Sequence, residues 1–282
     1  MAGDQPELDT GDSEPDTGEE IEELEEASLL SHLVELRDRI IRAAIAVFIL
    51  FVCLFPFSEE LFTLVAQPLI DQMPPGTSMI ATQVASPFLI PFKTTLWVAL
   101  FAAMPVVIYQ VWAFVAPGLY KQEKRFAFPL VISSIVLFYC GVAFAYFVVF
   151  PLVFAFFNAV APEGVAVMTD ISHYLDFVLL IFFAFGLAFE VPIATVMLVW
   201  SGLVTTEKLG KARAYVFLGA FVAGMLLTPP DIISQTLLAV PIYLLYEVGI
   251  VMSRFVLAKA AAQADNEDSG DDGSSTSGAD AA

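Results

Sequence analysis

Six apolar runs, each bounded by charged residues or turn formers, limit what this chain can fold into more than any other feature of its sequence. They cover about 40–57, 92–115, 126–150, 174–203, 215–227 and 232–255. A hydrocarbon core about 30 Å thick is crossed by about 20 helical residues, and a helix satisfies its own backbone where no water can. The spacing therefore predicts an all-α integral membrane protein with six transmembrane helices. The fifth run is short, since the span 215–227 rises only about 20 Å as helix. It should end below one surface or thin the bilayer, and the sixth, joined to it by Thr228-Pro229-Pro230-Asp231, should share that fate.

Composition agrees, with 58% hydrophobic residues, 15% charged residues and a mean hydropathy of +0.78, all outside the soluble globular range. The net charge of −19 sits in two tails: 1–27 and 260–282 are acidic and carry no base. Both are predicted to be disordered, flanking a membrane domain over 28–259. Cys53 and Cys140 lie inside apolar runs, so neither a disulfide framework nor a metal cluster is expected. An acidic start, and Ser58-Glu59-Glu60 after the first run, argue against a cleavable signal peptide.

The bases set the orientation. Arg37, Arg39 and Arg42 precede the first run, and Lys121, Lys124 and Arg125 lie between the second and third. Lys208, Lys211 and Arg213 lie between the fourth and fifth, with Arg254 and Lys259 at the end of the sixth. Eleven of the twelve Lys and Arg thus share one side, with only Lys93 on the other, so both termini are expected in the cytoplasm. On the outer side, 58–91 should form an ordered cap with a short helix, and 151–173 a second loop without bases.

Four motifs stand out. Before the first run, Leu29, Leu33, Leu36 and Ile40 make one helical stripe in Ser31-His32-Leu33-Val34-Glu35-Leu36-Arg37-Asp38-Arg39. Glu35 with Arg39, and Asp38 with Arg42, are i,i+4 pairs in the favourable order, so local pairing is one reading of Glu35. Between runs two and three, Phe114-Val115-Ala116-Pro117-Gly118-Leu119 is expected to break the helix at Pro117-Gly118, and Glu123 follows among three bases. In run four, Glu190 lies deep in an apolar stretch, where a charge costs at least about 2.5 kcal/mol, and Pro192 beside it should kink the helix. Glu190 reads either as a functional polar site or as a group hydrogen-bonded within the bundle. Asp231 could cap the sixth helix, and Ser234, Gln235 and Glu247 are candidates for interhelical hydrogen bonds.

No enzyme assembles from these residues. His32 and His173 fall on opposite sides, and no His-Glu-x-x-His pair, nucleophile elbow or phosphate-binding glycine loop is present. No catalytic residue, metal or cofactor is expected, and nothing points to nucleic acid.

The segments His32–Arg37, Phe114 through Glu123, Phe185-Gly186 through Phe189-Glu190-Val191-Pro192, and Thr228-Pro229-Pro230-Asp231 through Gln235 together resemble the TatC family in order, spacing and side. The similarity covers about 28–256. It departs where many members carry Asp and this chain has Gln83, and the acidic tails lie outside the pattern. The resemblance implies a non-enzymatic subunit of the twin-arginine protein translocase in the cytoplasmic (inner) membrane. Such a subunit recognises twin-arginine signal peptides of folded proteins. It forms an oligomeric complex with TatA- and TatB-type single-span partners, and the proton-motive force drives export. Carried over by position, Glu35 and Glu123 would meet the arginine pair, with Arg37, Phe114, Pro117 and Leu119 shaping that site. Glu190 and Pro192 would be intramembrane, and Asp231, Gln235 and Glu247 would sit on helices facing partner spans. The competing class is a proton- or ion-coupled secondary transporter using Glu190 and Glu247. That class usually shows internal repeats and paired broken helices, and no repeat is found here.

Overall fold

The computed structural model describes residues 17–70, 79–119, 127–160, 170–227 and 232–271. The helices are α1 (Thr17–Leu54), α2 (Ser58–Ile70), α3 (Ser86–Leu119), α4 (Ala127–Phe144), α5 (Phe150–Val160), α6 (Ile171–Ala188), α7 (Val191–Trp200), α8 (Thr206–Leu227) and α9 (Ile232–Asp271). A 3₁₀ turn at Phe55–Phe57 joins α1 to α2, and a π-helical turn at Ala145–Val149 joins α4 to α5. Six helical stretches among the described residues are long and apolar enough to cross a membrane, as the run lengths predict.

Burial is uneven. Half of the apolar window of α6–α7 is buried inside the protein and none of that of α1, so α6 is the hub and α1 a peripheral arm. A lipid-facing side chain gains nothing by turning inward, because acyl chains are as apolar as leucine. Helix α1 and the turn after it touch α3 through Phe51 and Phe55 against Phe92 at one end, and α1 through His32 against Phe114 at the other, which makes the two helices antiparallel. The main core joins Val149, Phe150 and Val153 to Tyr174, Leu175, Val178, Leu179, Ile181 and Phe185. Gly141 lets α4 lie on the backbone of α6: a Cβ there would sit 2.5 Å from the Phe185 carbonyl oxygen. Gly249 likewise seats α9 on α7, against Thr195 and Pro192. Small residues at such crossings are how helices approach closely in a bilayer.

The buried side of α4–α5 runs through Ser134, Phe138, Gly141, Ala145, Val149, Phe150 and Val153, directly across the π turn. Pro151 follows that turn and has no N–H to return to the preceding turn of helix, a common reason for altered winding. Between α6 and α7 the axis breaks at Phe189–Glu190, where the Glu190 amide bonds to the Leu187 carbonyl at 3.0 Å. Pro192 lies in the first turn of α7, where its missing donor is tolerated. Helices α8 and α9 form a hairpin closed by Tyr246 Oη donating to the Leu209 carbonyl at 2.7 Å and Gln235 Nε2 donating to the Phe221 carbonyl at 2.8 Å.

Several expected boundaries move. Helix α1 begins at Thr17 and α9 runs to Asp271, so parts of the acidic tails expected to be disordered are helical. Extending an existing helix adds one bond per residue without a new nucleus, and Glu, Leu and Ala propagate well. Helix α3 continues through Pro117-Gly118 to Leu119, because proline disturbs the turn before it rather than the residues after it. The third span passes the expected start of the second outer loop and stays helical to Val160. Helix α8 is 22 residues long, since its hydrophilic start at Thr206 extends the short apolar run. Helix α2 supplies the short helix expected in the first outer loop.

Candidate functional site

At the junction of α1 and α3, Arg39 donates to Glu35 Oε1 through Nε at 3.0 Å and Nη2 at 2.5 Å. Its Nη1 reaches Gln110 Oε1 on α3 at 3.4 Å. One turn away the His32 ring stacks on Phe114 with centroids 4.3 Å apart and planes 22° apart. The local i,i+4 pair open to Glu35 is thus formed, and it is fastened to the neighbouring helix. The second expected pair is not formed: Asp38 accepts from Arg37 at 2.8 Å instead of from Arg42. On an exposed helix face the two arrangements differ little in energy. Glu123 and Asp231 lie outside the described residues, as do the side chains of Pro117 and Leu119.

Helix α3 has a second face here. Gln110 and Phe114 point at α1, whereas Val111, Trp112 and Val115 line an apolar groove of about 480 Å³ between α3 and α6–α7. Residues four apart share a helical face, so the pairs 110/114 and 111/115 divide the helix between its two neighbours. Glu190 enters the groove among Phe183, Leu187, Ala194, Met197 and Leu198. The Ser134 hydroxyl of α4 lies beside its carboxylate and accepts from Trp112 Nε1 at 2.8 Å. A hydroxyl has one hydrogen, and with the indole as donor that of Ser134 is left available to the Glu190 side. Glu190 Oε1 is buried and has no hydrogen-bond partner among the described residues. The residues of this relay other than Glu190 escape sequence reading, because a hydroxyl and an indole inside apolar runs give no signal of their partner.

The remaining sequence candidates lie on the α8–α9 hairpin. Arg213 Nε and Nη2 each bond the Glu247 carboxylate at 2.7 Å, and Tyr243 Oη donates to it at 2.8 Å. Gln235 donates to the α8 backbone, as described above, so it holds the hairpin together. The structure therefore keeps Glu35, Glu190 and Glu247 in separate environments, with α3 linking the first two.

At the other end of α6 is a cluster that the motifs do not single out. Asp170 caps α6 by accepting from the Ser172 and His173 amides at 2.9 and 3.1 Å. It also accepts from the Thr82 hydroxyl and amide at 2.6 and 3.0 Å, and the Ile171 amide bonds the Ile80 carbonyl at 3.0 Å. The Thr82 hydroxyl first, and then the three amides, hold the Asp170 carboxyl well below the usual carboxylate range. Ser86 and Ser172 share a hydrogen bond at 2.9 Å, and Lys93 pairs with Asp176. An Asp immediately before an apolar helix is a cap signal, and it was available at Asp170-Ile171-Ser172.

A bundle of six spans with a broken fourth helix, an apolar groove and an arginine-paired carboxylate near it defines a polytopic α-helical membrane protein. The family model for the Sec-independent protein translocase protein TatC matches residues 31–241. The TatC of Azotobacter chroococcum mcd 1 is 60% identical over 222 residues, 79% of this chain and 87% of that protein. The TatC of Escherichia coli K12 is 56% identical over 231 residues, 82% of this chain and 90% of that protein. A crystal structure of the twin-arginine translocase receptor TatC superposes with a TM-score of 0.73 at 37% identity, covering 79% of this chain and 98% of that one. This chain belongs to the TatC family. It is a multi-pass membrane subunit of the Sec-independent protein translocase and not an enzyme.

Proposed function

We propose that this subunit is the signal-peptide receptor of its translocase, with Glu35 and Glu123 accepting the two adjacent arginines of a twin-arginine signal. One observation carries the reading: over 110–115 a single helix borders the Glu35 site on one face and an apolar groove on the other. A twin-arginine signal has the same layout, two guanidinium groups followed by an apolar segment. A carboxylate binds guanidinium through a charge-assisted fork, and an ammonium cannot reproduce that geometry. In this reading both termini are cytoplasmic, the membrane is the inner one, and TatA- and TatB-type spans pack against the lipid-exposed helices. Gln235 and Glu247 stand on the hairpin offered to those spans, and Asp231, next to it in sequence, is assigned to the same surface. The transporter alternative gains no support, because Glu247 is closed by Arg213 and Tyr243.

The test is the affinity of the purified full chain for a peptide with adjacent arginines and an apolar segment. Glu35→Gln or Glu123→Gln should each weaken binding by roughly 1.5–3 kcal/mol, the range for hydrogen bonds to charged groups. Unchanged affinity in both variants would refute the recognition role.

A further inference from the structure

We infer that Arg39 is a resident competitor for Glu35, occupying in the empty receptor one of the two oxygens that an incoming arginine needs. This rests on the reading of Glu35 as an arginine acceptor. Both Arg39 donors converge on Oε1, and among the described residues no bond is formed to Oε2. The acceptor is therefore half open. A guanidinium fork requires both carboxylate oxygens, so a peptide arginine docks first on Oε2, beside a fixed cation, and completes its fork only when Arg39 releases Oε1.

Arg39 is placed for that exchange. Its side chain is 18% exposed against 38% for Glu35, so it approaches the carboxylate from the protein side and leaves the outer side to a ligand. Gln110 Oε1 on α3, at 3.4 Å from Nη1, anchors the far end of the resident guanidinium and so helps to hold it against the carboxylate. Arg37 is not placed to compete: it is largely exposed and is taken by Asp38. The exchange replaces one arginine–carboxylate pair by another, so its net gain is small. When the peptide leaves, Arg39 is tethered next to the vacated oxygen and re-forms the pair. The competitor thereby favours a receptor that releases its ligand.

The charge of Arg39 opposes any cationic ligand, whereas its hold on Oε1 opposes only a ligand that needs both oxygens. A lysine ammonium is satisfied by one. Neutralising Arg39 should therefore tighten binding of an Arg-Arg peptide more than that of its Lys-Lys counterpart. The expected effect on the Arg-Arg peptide is roughly three- to tenfold at low salt.

The experiment measures fluorescence-anisotropy affinities of the two peptides for the full chain in detergent, for wild type, Arg39→Gln, Gln110→Ala and Glu35→Gln. Supporting results are weaker Arg-Arg binding in Glu35→Gln and tighter Arg-Arg binding in Arg39→Gln, with a wider gap between the peptides. Gln110→Ala frees the far end of Arg39 and should move the affinity the same way by less. It carries the test alone if Arg39→Gln does not fold. If Glu35→Gln weakens binding but Arg39→Gln, or Gln110→Ala in its place, weakens it or leaves it unchanged, Arg39 positions Glu35 and the competitor is overturned while the receptor reading stands. Should Glu35→Gln bind as wild type does, the Glu35 reading falls and takes the competitor with it.

Discussion

Asp170 and Glu190 stand at opposite ends of one helix, α6, and are opposites in chemistry. Asp170 lies where the chain enters the helix and receives bonds from Thr82, Ser172 and His173, which tie the segment before α3 to the start of α6. Glu190 lies where the helix breaks, in an apolar groove, with one oxygen unpartnered. A carboxylate whose acceptors are used up by its own protein has a structural task. One kept short of partners in an apolar setting lowers stability and persists where something else uses it.

The contrast depends on α6 being seated on α4, and the strongest way to break it is to unseat it. Gly141→Val would drive a branched side chain into the Phe185 carbonyl and should destabilise the bundle by about 3 kcal/mol, seen as loss of folded protein in detergent. Normal accumulation would show that the crossing is not close-packed. Asp170→Ala removes the cap and the bond to Thr82 together and should lower the melting temperature by roughly 5 °C. An unchanged melting temperature would mean that the two segments are held by other contacts.

Acid tests the same residue more gently. The folded pKa of Asp170 is depressed, so its contribution is whole above the ordinary carboxylate pKa of about 4 and fades as pH falls from there toward the folded value. Thermal melts should fall with acid in the wild type, and Asp170→Asn should lack that component. Parallel profiles would remove Asp170 as the source. The smallest stability effect belongs to Glu190→Ala, which should shift unfolding by less than about 1 kcal/mol, toward greater stability, while peptide binding stays and export fails. If the variant fails to accumulate, Glu190 is a structural partner of Ser134 and the contrast collapses.

The spans were legible because hydropathy measures a physical length, the thickness of the hydrocarbon, which any crossing helix must match. Helix ends were not, because hydropathy marks where lipid stops and helices continue into water, as α8 does through Thr206–Arg213. The break at Glu190 was legible from a charge and a proline close together in an apolar run. The Glu35–Arg39 pair could be read from i,i+4 spacing, but its fastening to Gln110 joins residues 71 positions apart, and no local pattern encodes it. Trp112 and Ser134 were hidden for the same reason.

The π turn at Ala145–Val149 explains how one side of a long helix stays on the bundle. The buried stripe from Ser134 to Val153 spans nineteen positions in five turns, whereas five α turns take about eighteen residues. The surplus residue would rotate Val149 and Val153 by about a quarter of a circle away from α6, and the widened turn absorbs it. A loop would absorb it too, but at this depth it would present bare peptide groups to lipid. The winding of the backbone thus works as a phase corrector, and the third span, α4–α5, can host one residue more than its packing period allows while every part of it still meets its neighbour.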